Sequence, residues 1–365
     1  MYTVHFEPMA SPMSKDSVRP AGVGYDARLG TFSGTMLVVG GVIGAGIFLS
    51  PAVVAQRVGT ASLTLGAWGL GALVAIIGGF VYAELGSRRP LAGGTYIYLR
   101  DAWGPLPAFL YGWALFLIMA TGAIAAVGMT GASYLATLIG LPAESTTALA
   151  IAIVVVLTLL NVVGIRIGAT TGNVLTVLKL GAIGVLVLAA LLMSPANAGE
   201  LTGAMASPPP LTPPVGGTAI VLAMGAALVP VLFSFGGWQQ TNAVAEELVD
   251  PARTLPRVLI IGVLVVVATY MLVNVAYLRA LGVEGLAASS APAADAMFVY
   301  LGPAGRTLIA CGIVASTVGF LSPWSSSCQR ACIKRWPLMV YSFVRWRRCT
   351  RVRVHRWRHS SGRVR

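Results

Sequence analysis

The stretch that decides the fold is residues 31–55, TFSGTMLVVGGVIGAGIFLSPAVVA. It is apolar, and its length matches the ~20 residues needed to cross a bilayer as a helix. Yet Gly40, Gly41, Gly44 and Gly46 fall within seven residues of one another. Each glycine inside a helix costs on the order of 1 kcal/mol relative to alanine. A membrane helix that accepts this repeatedly either packs closely on a neighbour or unwinds. An unwound turn at membrane depth bares N–H and C=O groups, which are tolerated only where protein buries them or a cavity receives them.

The surrounding composition agrees. The 365-residue chain is 56% hydrophobic and 10% charged, with a mean hydropathy of +0.81. Soluble domains carry about 25% charged residues, so the chain reads as a polytopic all-α transmembrane protein. The first 30 residues are polar, without the apolar run of a cleavable signal. The formal net charge of +13 is localised. Residues 1–322 hold 13 Lys/Arg and all 12 Asp/Glu, whereas residues 323–365 hold 12 Lys/Arg and no acid. Cys328 and Cys332 with His355 and His359 have a loosely metal-like spacing, too weak to support a metal site.

Eight apolar windows can be read: about 32–55, 61–86, 105–138, 146–164, 172–194, 217–242, 257–281 and 299–322. Turn-rich loops are expected at 195–216 and 282–297. Lys15, Arg19, Arg28, Arg88, Arg89, Arg100, Arg166, Arg253 and Arg257 gather in the connections on one side, against Arg57, Arg279 and Arg306 on the other. The positive-inside rule places the first set, and the N-terminus, in the cytoplasm. The sixth window is interrupted too, by Phe233-Ser234-Phe235-Gly236-Gly237-Trp238. Interrupted helices five spans apart suggest an inverted repeat, with a binding site where the breaks meet. The second repeat stops after its third helix.

Residues at the breaks carry the candidate chemistry. N–H groups at Gly44-Ala45-Gly46 suit a carboxylate, being at the positive end of a helix dipole; close packing of small residues is the competing reading. Carbonyls freed near Phe233 and Ser234 suit an ammonium group. Phe233 and Phe235 either close over a solute or are ordinary core or lipid-facing aromatics. Gln239 is polar in an apolar window and either meets the solute or water. Lys179 is the lone cation deep in a span. It supplies a fixed charge, exchanges a proton, or snorkels. Glu246, Glu247, Asp250 and Arg253 either pair with the basic loop at 87–104 as an inner gate or are solvated.

These residues resemble the amino acid–polyamine–organocation superfamily, and within it the L-type amino acid permeases. The resemblance runs through Gly41-Val42-Ile43-Gly44-Ala45-Gly46-Ile47-Phe48; Tyr82-Ala83-Glu84-Leu85-Gly86 with Gly93-Gly94-Thr95-Tyr96 and Phe109-Leu110-Tyr111-Gly112-Trp113; Asn161-Val162-Val163-Gly164-Ile165-Arg166 with Asn173 and Lys179; and Phe233 to Trp238 with Pro251-Ala252-Arg253. It is collinear over about residues 30–322. It implies a leucine-transporter-like inverted-repeat fold, here incomplete, with the first and sixth helices discontinuous. It further implies a secondary active permease working by alternating access on amino acids, neutral ones given the small, apolar surroundings. Gly44, Ala45 and Gly46 would bind the α-carboxylate; carbonyls near Ile43, Phe233 and Ser234 the α-amine; Phe235, Gly237 and Gln239 would complete the site. Phe233 falls at the aromatic gate, and Lys179 where sodium-independent members place a lysine, so coupling would be to protons or exchange. Ser316 and Thr317 lie in roughly the region where sodium-coupled relatives bind the ion.

The expected organisation is therefore a cytoplasmic tail (1–30), a five-helix repeat (31–194), an extracellular loop (195–216), an incomplete second repeat (217–322) and a basic tail (323–365), in the plasma (inner) membrane. The family pattern ends near Leu321, and the Arg/Trp-rich tail has the composition of an out-of-frame translation, so a truncated, frameshifted permease is expected. Expected partners are the amino-acid substrate and membrane lipid, not nucleic acid, and no cofactor or metal. A non-transporting substrate-binding or sensor protein, or a pseudogene product, is the alternative. An enzyme is not expected: the spans hold no His and no nucleophile with a nearby base.

Overall fold

A computed structural model describes residues 29–91, 93–162, 169–197 and 211–323. The basic tail with Cys328, Cys332, His355 and His359, most of the N-terminal tail, Arg166 and much of the 195–216 loop lie outside the described residues.

The glycine-rich stretch forms two helices. α1 (Thr31–Val42) ends where Ile43 leaves helical geometry, and α2 (Gly46–Val58) starts at Gly46, bent by 41° from α1. Gly59 closes α2 in the left-handed conformation that glycine adopts without strain. Thr60 then caps α3 (Ala61–Arg88), its hydroxyl accepting from the Leu63 N–H at 3.3 Å. A short helix α4 (Thr95–Trp103) leads into α5 (Pro105–Ile139), which contains a π-helical turn at Leu115–Ala120. α6 (Thr146–Val162), α7 (Ala169–Leu192) and α8 (Gly217–Phe235) follow. A 3₁₀ segment, Trp238–Glu247, joins α8 to α9 (Pro251–Ala288), and α10 (Pro292–Pro323) completes the described chain.

Six of these helices are long and apolar enough to span a membrane, and the bent α1–α2 pair makes a seventh candidate. The expected fourth span is the shorter α6. Leu73, Ile77, Phe80, Leu188 and Leu264 are exposed on the bundle exterior, as lipid contact requires. α9 is central, lying along α3 and touching α1, α2, α7 and α10; α2 packs on α8, and α5 on α10.

Two expectations need correction. The sixth window does not continue as a span to residue 242. α8 stops at Phe235, and the polar run Gln239-Gln240-Thr241-Asn242 coils as a 3₁₀ segment after Gly236-Gly237. Nor is 282–297 an open loop. Gly282 (φ 67°) and Gly302 (φ 61°) bound a helical hairpin whose Ala293, Ala296, Met297 and Val299 are fully buried. The Gln56 side chain donates to Ala287 O at 2.5 Å and Asn197 to Phe298 O at 3.2 Å, which ties the hairpin down.

Gly237 has φ 115°, and a Cβ there would collide with the Gly41 carbonyl. Replacing Gly237 with alanine should cost about 2–4 kcal/mol. Gly69→Ala, inside α3 with open space around it, should be neutral or stabilising by up to about 1 kcal/mol. Thermal unfolding of the purified protein in detergent compares the two.

Candidate functional site

The two breaks face each other. Gly46 packs on Ser234 of α8; a Cβ at Gly46 would sit 2.7 Å from the Ser234 Cα. The two readings of the glycine motif thus divide between residues: Gly46 serves close packing, while Ile43 to Ala45 unwind. Gly44 faces the Phe320 ring of α10, and Ala45 packs with Val127, Phe320 and Leu321.

Unwinding leaves donors and acceptors. The Gly44 N–H is used locally, donating to Val42 O at 2.8 Å. The N–H groups of Ala45, Gly46 and Ile47 have no partner among the described residues, as expected at a helix start without a capping side chain. They are three convergent donors at the positive end of α2. The acceptors have partners. Lys179 on α7, 2% exposed, donates from Nζ to Ile43 O at 2.7 Å and Gly40 O at 3.1 Å. The ammonium therefore does not snorkel; it is inserted among the carbonyls of the break. An ion buried in this setting is tolerable only when such partners compensate its lost hydration.

Tyr270 of α9 does the corresponding work between the breaks. Its hydroxyl lies 3.1 Å from both Val42 O and Ser234 O, so one buried donor is shared by the first and second interrupted helices. The sequence reading missed Tyr270, because a tyrosine in an apolar window gives no signal of what it touches. Ser234 Oγ also bonds Ser50 Oγ of α2 at 2.9 Å. The carbonyls expected to take an ammonium group each already accept one bond: Ile43 from Lys179, Ser234 from Tyr270, and Phe233 from the Gly236 N–H at 3.1 Å. A carbonyl oxygen has two lone pairs, so each retains capacity for a second donor.

The remaining expected site residues divide. Phe233 is about half exposed, at 53%. Phe235 is buried in an aromatic cluster with Trp68 and Tyr270, with ring centroids 5.7 and 5.0 Å away, so it supports the break from behind. Gln239 turns back to accept from the Gly237 N–H at 3.0 Å, satisfying the second break locally. Thr317 bonds its own helix at Ile313 O, 3.0 Å away. The basic loop pairs locally: Arg88 with Glu84 (2.6 Å), and Arg89 and Arg100 with Asp101 (3.7 and 3.6 Å), while Arg253 meets Asp250 (3.8 Å). Exposed pairs of this kind contribute about 0–1 kcal/mol each. No cluster of three or more metal-ligating side chains occurs among the described residues.

Removing the shared donor isolates its contribution. Tyr270→Phe keeps the ring contacts but strands the Ser234 carbonyl, while Val42 O keeps the Gly44 N–H, and should lower stability by about 1–3 kcal/mol. Chemical or thermal unfolding measures this, with Tyr300→Phe, which has no hydrogen bond to either break, as the control.

The family model described as amino acid permease matches residues 29–332. The serine/threonine exchanger SteT of Bacillus subtilis (strain 168) is 29% identical over 82% of this chain and 66% of its own length. The human b(0,+)-type amino acid transporter 1 is 29% identical over 84% of this chain and 62% of its own. The Asc-type amino acid transporter 1 of Mus musculus is 31% identical over 84% of this chain and 57% of its own. The chain thus spans a little under two thirds of the length of these relatives.

Proposed function

The chain belongs to the amino acid permease family, a family of membrane transporters rather than enzymes, and from this we propose that it binds and moves amino acids at the junction of its two helix breaks. The N–H groups of Ala45 and Gly46, with Gly44 shaping the turn, receive the α-carboxylate. The spare lone pairs on the carbonyls of Ile43, Phe233 and Ser234 receive the α-amine. Phe233 shields the solute, and Gly237 and Gln239 fix the second break. Neutral amino acids fit this site best, because Ala45, Val127, Phe320 and Phe233 supply apolar surroundings.

The observation that carries the reading is the Lys179 ammonium held between Gly40 O and Ile43 O. A protein-borne cation at the break makes a bound sodium ion unnecessary there, which favours proton coupling or exchange. The packing of α2 on α8, α3 on α9 and α5 on α10 pairs first with sixth, second with seventh and third with eighth segments. That pairing supports an inverted repeat in which matching elements meet. Hydrogen bonds gather the ends of α3, α4 and the 3₁₀ segment together, bringing Arg88, Arg89 and Arg100 to one end of the bundle. This supports a cytoplasmic assignment for that end, with the N-terminus inside.

Reconstitution tests the proposal. Proteoliposomes should take up labelled L-serine or L-alanine equally in sodium and choline buffers. Preloaded unlabelled substrate should accelerate uptake in an exchanger, and an inward proton gradient should do so in a proton-coupled carrier. Lys179→Ala should reduce uptake by about tenfold or more, the cost of two lost charge-assisted hydrogen bonds. Sodium-dependent uptake would overturn the sodium-independent reading. Saturable binding without uptake would instead support a substrate-binding membrane protein.

A further inference from the structure

At the arginine-rich end, the structure divides into two apolar units. Val38, Ala83, Ala245, Leu248, Leu255, Val258 and Leu259 pack together and join α1, α3, the 3₁₀ segment and α9. A parallel β-bridge between Leu29 and Leu248 adds the chain entering α1 to this unit, with the Leu29 N–H donating to Glu247 O at 3.0 Å. The second unit is α4 with the start of α5, built on Tyr96, Ile97 and Ala108. The join between the units is made of hydrogen bonds beside one ring contact, Tyr82 edge to face with Tyr98 at 6.0 Å between centroids. Asn242, fully buried on the 3₁₀ segment, donates from Nδ2 to Tyr82 O of α3 at 3.1 Å and to the Tyr98 hydroxyl oxygen of α4 at 3.0 Å. The Tyr82 hydroxyl meets Thr95 Oγ1 at 3.1 Å. The chain link between the units contains Gly93 (φ 119°) and Gly94 (φ 46°), two positions where the backbone turns freely.

We propose that the Asn242–Tyr98 hydrogen bond, with Tyr82–Thr95 beside it, is a releasable latch that holds the α4–α5 unit against the α1/α3/α9 unit and keeps this end of the bundle closed. The proposal rests on the transporter reading, since a closed end matters only if a solute must pass. Its physical basis is the contrast between the two kinds of contact. Separating apolar clusters costs free energy in proportion to the area exposed. Breaking a hydrogen bond that water can replace costs only about 0.5–1.5 kcal/mol net. A joint that must open repeatedly is therefore best made of polar contacts between rigid apolar blocks. Asn242 Oδ1 sharpens the point: it is buried without a partner, and opening would give it water. Burial pushes the Tyr98 hydroxyl above its ordinary value, against the opposing pull of the Asn242 hydrogen bond, so it stays neutral and the latch is set by geometry and not by charge.

Hydrogen–deuterium exchange on the full chain in lipid nanodiscs tests the latch without any transport assay. Tyr98→Phe and Asn242→Ala should each speed amide exchange in residues 95–103 and 238–247 by about two- to tenfold, the factor one lost hydrogen bond implies. Because the latch closes the route to the breaks, exchange at residues 45–48 should rise as well, while the hairpin at 283–301 stays as in the unmodified protein. The double variant should exchange no faster than Asn242→Ala alone, since both substitutions remove the same bond. Unchanged exchange at 45–48 in Tyr98→Phe would overturn the gating role, and additive effects or a rise throughout the chain would overturn the latch. Failure of L-serine uptake with these exchange changes present would count against the transporter reading alone.

Discussion

Everything in the bundle depends on one constraint: a backbone interrupted at membrane depth must have its polar groups answered by protein. Two interrupted segments double that demand. The fold meets it by bringing the breaks together and serving both from neighbouring helices. Lys179 reaches in from α7 and Tyr270 from α9. Each fills acceptors and leaves the donors at the start of α2 open. The asymmetry has electrostatic meaning. Lys179 takes up part of the carbonyl side, while the helix dipole leaves the amide side electropositive, the end at which the carboxylate of the proposed substrate belongs.

The supporting shell is aromatic for a related reason. Trp68 packs edge to face on Phe235 and Tyr270, and these two rings lie tilted against each other, with centroids 5.0 to 5.7 Å apart. Large, stiff rings fix the position of an irregular backbone better than flexible aliphatic chains, and they bring substantial area with few rotatable bonds. Gly71 permits this closeness, since a Cβ there would press on Val231 and the Phe235 ring. The small residues of the chain are therefore distributed with purpose: some release the backbone, and others let rings and helices approach the place where it is released.

The sequence revealed the breaks because glycine clustering is a local signal, and Lys179 because a charge in an apolar window stands out by composition alone. Family membership was legible for the same reason, through collinear local motifs. What stayed hidden was set by tertiary contact. Tyr270 is one aromatic among many until its hydroxyl is seen between two carbonyls. Phe235 and Phe233 are two residues apart, yet one is core and the other half exposed, a difference decided by which face of α8 meets α3. Gln239 reads in sequence as meeting the solute or water, and the fold adds a local contact that the sequence did not signal: its Oε1 accepts the N–H of Gly237, two residues away. The hairpin after Gly282 reads as a loop in sequence because glycine, alanine, serine and Pro292 stand out in its composition, although its short helices are buried by packing.

The π-helical turn at Leu115–Ala120 has a consequence for how α5 serves two neighbourhoods at once. Such a turn adds one residue to the helix without ending it. That extra residue rotates everything beyond it by roughly 100°, the angle between successive residues at 3.6 per turn. The first part of α5 turns Ala108 and Phe109 to α4, while the second turns Val127 towards the first break and α10. A single unbroken helix of uniform pitch would have to favour one partner over the other. The inserted residue works as a built-in phase shift, allowing the helix to read two differently oriented surfaces along one axis.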